Sequence, residues 1–298
     1  LIFFWVDVHS NILILPFKIF MSALSNTYMT GWPFNLVNGN YYLSHEVPKL
    51  YFLINVIYKS PEYLLITYPF FFILILKSNA FFKKEFIFFN YKIWLIFFIL
   101  IFPNLVSFII PFPLYDGARL FLWILPYFCI IPGLTIYYLI ENFNYIKSKL
   151  ALFFLLPCVI YFLFNFFMIT PYQYTYLNIF NAESENRYRK FENDYWGTSI
   201  KELVKYAKFE DKKVLKISTC GISSNIAKFY LNKKRNAFYK FVDFRESDYL
   251  IMTNRVTSVV EKNTGSEKMI NCFDKYKGSN ISAVSRNGLA LSVIRKVH

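Results

Sequence analysis

The sequence predicts a multi-pass α-helical membrane protein carrying a C-terminal α/β domain outside the bilayer. Composition and its uneven placement lead there. Of 298 residues, 56% are hydrophobic and only 17% charged, with 36 Phe and 24 Tyr. An average soluble domain is about 45–50% apolar and about 25% charged. This balance excludes a disordered chain, a collagen, a coiled coil and a disulfide scaffold. Residues 1–170 hold 10 Lys/Arg and 6 Asp/Glu, whereas residues 171–298 hold 23 and 13. The expected organisation is therefore a transmembrane region over 1–170 and a soluble α/β domain over 171–298. The chain opens at Leu1 within an apolar run, LIFFWV. That reads as a partial span over 1–8 and marks the sequence as the C-terminal portion of a longer protein, without a signal peptide.

A bilayer core of about 30 Å needs roughly 20 apolar residues in helix. Spans are expected over about 61–76, 93–110, 120–140 and 150–169. Pro61 suits the start of the first of them. Residues 11–24, interrupted by Pro16 and Lys18, and the apolar stretch 49–59 read as interfacial helices. Orientation follows the short basic connections, which stay in the cytoplasm. The 77–92 connection carries Lys77, Lys83, Lys84 and Lys92, and the 142–149 connection carries Lys147 and Lys149. Placing both inside puts residues 25–60, 111–118 and the whole tail on the extracytoplasmic side of the cell (inner) membrane.

Within the tail, Ser199-Ile-Lys-Glu202 reads as a capping box before a helix over about Ile200–Lys208. Val214–Ile217 alternates as a strand, and Ser223/Ser224 cap a helix through Leu231. Phe238–Phe244 and Tyr249–Met252 read as further strands. Asn287-Gly288 between the alternating runs Asn280–Arg286 and Leu289–Arg295 specifies a type I′ hairpin. Together these give a mixed sheet with helices. The turn at Cys220-Gly-Ile-Ser-Ser has the place of a phosphate loop but lacks its glycine patterns, and it reads as an ordinary strand-to-helix turn. Cys129 and Cys158 read as packing residues, while Cys220 and Cys272 are a pair that an extracytoplasmic domain would allow to bridge. His9, His45 and His298 are too scattered for a metal site, so none is expected and no cofactor is evident. A requirement for a divalent metal stays open. The chain carries a net charge of +14, and the basic clusters Lys205/Lys208/Lys212/Lys213 and Lys233/Lys234/Arg235 of the tail suit adhesion to anionic lipid head groups, so nucleic acid is not an expected partner.

Charge at the membrane edge is costly and so points to function. Two places qualify. The first is Pro111-Phe-Pro-Leu-Tyr115-Asp116-Gly117-Ala118-Arg119, between two spans. Its plain reading is an outer loop in which Asp116 and Arg119 neutralise each other. Its functional reading has the forked donors of Arg119 holding a lipid-linked phosphate. The second is His45-Glu46-Val-Pro48-Lys49, where Lys49 is a second phosphate candidate or a snorkelling side chain. His45 and Glu46 are candidates for a sugar contact or for acid/base work.

Four stretches in this order resemble the bacterial family 39 glycosyltransferases, relatives of the protein O-mannosyltransferases and the lipid A aminoarabinose transferase, which share the GT-C membrane fold. They are Trp32-Pro33 with Asn38-Gly39-Asn40-Tyr41-Tyr42 and Val47-Pro48; Leu114 to Pro126; Pro171 to Asn178; and Glu192-Asn193-Asp194-Tyr195-Trp196-Gly197-Thr198-Ser199. The resemblance implies an enzyme that moves a sugar from a polyprenyl-phosphate carrier to a hydroxyl acceptor on a glycan, lipid or protein. It also implies that the acid activating the acceptor lies in an upstream outer loop, so the catalytic residue is expected in the missing N-terminal part. Arg119 and Lys49 are then the candidate lipid-phosphate contacts, and His45, Glu46, Tyr115, Asp116 and Asp194 candidate substrate contacts. Leu120 stands where the family pattern often has His. The competing expectation is a non-catalytic membrane scaffold, or a subunit that handles a lipid carrier, whose outer domain binds a partner.

Overall fold

The computed structural model describes residues 32–109, 113–181, 184–211, 213–234, 238–260 and 267–297, with Ile14, Phe17, Lys18 and Met21. The expected partial span 1–8 lies outside the described residues. Of the expected helix 11–24 only those four single residues are described, all helical.

The described chain opens with a hairpin, β1 (Phe34–Val37) and β2 (Asn40–Leu43), paired antiparallel. Asn38 and Gly39 form its turn at φ +48° and +88°, the left-handed pair that a type I′ turn demands. The interfacial helix follows as α1 (Tyr51–Lys59). Four helices long and apolar enough to cross a membrane come next: α2 (Glu62–Glu85), α3 (Phe89–Ile109), α4 (Leu125–Glu141, preceded by a 3-10 turn over Arg119–Ile124) and α5 (Ile146–Met168). Their outer faces are apolar and exposed, with Phe153, Phe154 and Phe167 each about two-thirds open, as lipid-facing residues are.

The helix boundaries at the lysine-rich end differ from expectation, α3 starting at Phe89 and not near 93. α2 does not stop at Leu76; it kinks at Ser78 and runs on to Glu85, because long lysine stems can continue a helix past the apolar layer. Lys147 and Lys149 likewise belong to α5, so the connections at that end shrink to residues 86–88 and 142–145. The six lysines still cluster at the end where α2 meets α3 and α4 meets α5. Residues 32–61, 113–118 and the described residues after 169 lie at the opposite end.

The tail adds α6 (Ile200–Tyr206), β3 (Val214–Cys220), α7 (Ser224–Lys234), β4 (Phe238–Phe241), β5 (Tyr249–Thr253), β6 (Val256–Val260), β7 (Glu267–Asn271), the short α8 (Cys272–Lys275), β8 (Ser279–Arg286) and β9 (Leu289–Lys296). Five strands form a mixed sheet in the order β4-β3-β5-β9-β8. β3 runs parallel to both β4 and β5, and β9 antiparallel to β5 and β8. The Asn287-Gly288 turn joins β8 to β9 with both residues at positive φ. β6 and β7 make a separate antiparallel ribbon, which the sequence reading missed. The capping box is not formed. Ser199 makes no side-chain cap; its hydroxyl goes instead to Asp194 and to Ser292 Oγ, and α6 ends two residues early at Tyr206. Cys220 and Cys272 are bridged.

One hydrophobic core joins the sheet to the segment before the spans. Leu203, Ile217, Ile251 and Leu291 share it with Val37, Tyr51, Leu114 and Tyr172. This core thus draws on both sides of residue 170. Polar clamps reinforce the join: buried Glu62, in the first turn of α2, accepts from Tyr176 Oη (2.7 Å) and the Ile179 N–H (2.9 Å). Asn178 and Asn181 donate to carbonyls at the end of α1.

Candidate functional site

The turn between α3 and α4 is bent by two successive left-handed residues, Asp116 (φ +56°) and Gly117 (φ +67°). A Cβ at Gly117 would stand 2.9 Å from Lys59 Nζ and 3.4 Å from Asn55 Oδ1. Glycine here therefore lets the turn close over α1. The Gly117 N–H donates to Tyr51 Oη at 2.9 Å, and the Leu114 N–H and carbonyl bond to Ser44 O and Asn35 Nδ2. The turn is locked from three directions.

This places the Asp116 carboxylate, almost fully buried, between two guanidinium groups. Arg255 Nη2 donates to Oδ1 at 2.7 Å and Arg119 Nη1 to Oδ2 at 3.2 Å. Arg255, buried, follows β5; its Nη1 donates to the Tyr195 carbonyl and its guanidinium carbon lies 4.3 Å from the centroid of the Trp32 ring. Glu192 Oε1 accepts the Val256 N–H at 2.8 Å and stands 3.9 Å from Arg255 Nε. Lys59 Nζ lies 5.0 Å from the centre of the Phe191 ring and forms no direct ion pair among the described residues. Burial pulls the Lys59 ammonium down to about 8, with Glu192 and Asp116 opposing the shift. Burial likewise pushes the Glu192 carboxyl up to about 7, against the pull of Arg255. Asn55 Oδ1 and Arg255 Nε are buried and have no hydrogen-bond partner among the described residues.

Three cations and two carboxylates thus meet at one corner, beside the turn that joins α3 to α4. Arg119 is the exposed member, its side chain 46% accessible, and its guanidinium carbon lies 5.6 Å from the Trp196 ring centroid. Trp196 stacks on Tyr174 (5.4 Å, 29°). Asp194 holds that platform in place. Its buried carboxylate accepts from Tyr174 Oη, from Thr198 N and Oγ1, and from Ser199 N and Oγ, so its bonds go to the turn around Trp196.

The structure brings Asp116 and Arg119 together, with Tyr115 half-buried beside them. It does not bring Lys49 to them: Lys49 Nζ reaches the Phe108 carbonyl at 3.4 Å, at the end of α3, as a snorkelling lysine would. Lys59 occupies the inner position instead. His45 and Glu46 are exposed and face each other at 3.6 Å. Arg255 and Lys59 were missed by sequence reasoning. Lys59 left a weak trace, a single charge closing an apolar run before Pro61; Arg255 left none. No family model, curated protein or solved structure matches the chain.

Proposed function

We propose that the chain is the C-terminal portion of a membrane glycosyltransferase. It would take a sugar from a polyprenyl-phosphate carrier and pass it to a hydroxyl acceptor on the outer face of the cell membrane. The observation that carries this reading is the solvent-facing guanidinium of Arg119, the one cation of the corner in excess of its two carboxylates, whose bond to Asp116 leaves N–H donors free for an anion. A phosphate whose lipid tail lies along the spans would supply it. The disulfide supports an extracytoplasmic tail, and the six lysines at the other end of the helices support a cytoplasmic position for that end.

In this reading the unused N–H donors of Arg119 face the carrier phosphate. As the sugar–oxygen bond breaks, charge grows on that phosphate, so a fixed guanidinium binds the transition state more strongly than the ground state. Asp116 and Trp196 hold the guanidinium in place, and Arg255 anchors the other oxygen of Asp116. A carboxylate from upstream of this chain would take the acceptor proton. In the full-length enzyme, Arg119→Ala should lower transfer from a polyprenyl-phosphate sugar by about one to three powers of ten. Unchanged transfer in that variant would remove Arg119 from the mechanism and favour a non-catalytic scaffold or carrier-handling subunit.

A further inference from the structure

Beside Trp196 an open groove of about 600 Å³ runs between the segment that follows α5 and the face of α6. Its lining combines two features. Trp196 and Tyr206 present exposed aromatic surface, 47% and 63% accessible. Lys201 and Lys205, four residues apart on α6 and both exposed, supply two ammonium groups on one helix face. The other charges in the groove cancel: Arg286 Nη2 donates to Glu202 Oε2 at 2.6 Å, and Tyr172 Oη to the same oxygen at 2.8 Å. The net charge facing the groove is therefore positive. Trp196 is fixed from below by Tyr174, itself tied to Asp194 and Thr198, so the platform is organised before a ligand arrives.

We propose that this groove binds an anionic saccharide. A pyranose ring offers a flat C–H face to an aromatic platform, hydroxyls to the lysine donors and the Glu202 oxygens, and a carboxylate or phosphate to Lys201 and Lys205. A bare inorganic anion would leave the aromatic faces unused and fill a small part of the space. A neutral apolar ligand would strand two ammonium groups. A single-stranded nucleic acid also stacks on aromatic rings, but it needs a continuous basic track, and this groove offers two adjacent lysines. The proposal does not depend on the transferase reading. Because Trp196 also lies against Arg119, a saccharide seated there would stand beside that corner.

The test uses the full chain in phosphatidylcholine nanodiscs, titrated with trigalacturonate, maltotriose or a short oligo-dT. Parallel nanodiscs carry a sialylated ganglioside or phosphatidylglycerol. Trigalacturonate, or the ganglioside headgroup, should bind at least about tenfold more tightly than maltotriose, the difference expected from charge-assisted contacts. Binding of the soluble sugar identifies a free glycan as the source, and binding of the ganglioside alone identifies a lipid headgroup. The double variant Lys201→Ala/Lys205→Ala, at exposed positions that leave the core intact, should lose about tenfold or more, and Trp196→Ala should lose a similar amount. The proposal is overturned if neither anionic sugar binds, or if binding survives the lysine double variant. It is equally overturned if phosphatidylglycerol matches the ganglioside, or if oligo-dT outcompetes both sugars.

Discussion

A carboxyl group shielded from water and facing an arginine off-line, as Glu192 does, is pulled in two directions, and burial wins: it titrates near 7. The sign of its effect on stability follows. Between the ordinary glutamate value and about 7 the folded chain holds a proton that the unfolded chain has lost, so stability falls as pH rises through that window. Above about 7 the penalty is constant. Glu192→Gln keeps an oxygen for the Val256 N–H and discards the charge. It should therefore raise stability by ~1–3 kcal/mol at pH 7 and above, and by almost nothing near pH 4. Melting curves of the two proteins in detergent at both pH values check this; a difference independent of pH would show that the carboxylate is not strained by burial. Asp116 and Arg119 were legible in the sequence because they sit in a short turn between two apolar runs, where any charge stands out. Arg255 was not, because its link to Asp116 spans 139 residues and only the tertiary fold creates it.

Among the elements, hairpins show what local sequence can and cannot specify. Asn287-Gly288 between two alternating runs announced β8 and β9 almost to the residue. The same dipeptide at Asn38-Gly39 builds the β1–β2 hairpin, yet its four-residue strands are too short for alternation to show. β6 and β7 gave no signal, since Glu267-Lys268-Met269-Ile270-Asn271 has no clean period and no two-residue turn marks its pairing with β6. The capping box failed for a physical reason: Asp194 and Ser292 compete for the Ser199 hydroxyl and win. The bridge from Cys220, at the end of β3, to Cys272, at the start of α8, closes 52 residues. It ties the β6–β7 ribbon to the sheet. In a chain-entropy treatment a loop of that size is worth about 4 kcal/mol. Cys220→Ser/Cys272→Ser should lower the thermal midpoint measured without reductant, and added reductant should bring the wild type down to the variant. Identical midpoints before reduction would mean that the bridge carries no stability.

For the whole molecule, the number of crossings and the shared outer core make a single statement about sidedness. Four crossings by α2 to α5, the described helices long and apolar enough for it, would return the chain to the side it left and put the segment before α2 and the tail after α5 in one compartment. Val37 and Tyr51 packed in one core with Leu203 and Ile251 require the same thing independently. What these contacts leave to electrostatics is which compartment, and six lysines against Glu85 and Glu141 at the opposite end favour that end as cytoplasmic. Two single-cysteine probes decide it, one at Tyr145 in the α4–α5 connection and one at Lys213 ahead of β3, both exposed. In intact cells a membrane-impermeant maleimide should label Lys213→Cys and leave Tyr145→Cys untouched until the membrane is opened. The reverse pattern would place Arg119, Trp196 and the groove in the cytosol. There a disulfide between Cys220 and Cys272 would be kept reduced, and a carrier phosphate at Arg119 would face the wrong compartment for the transfer proposed.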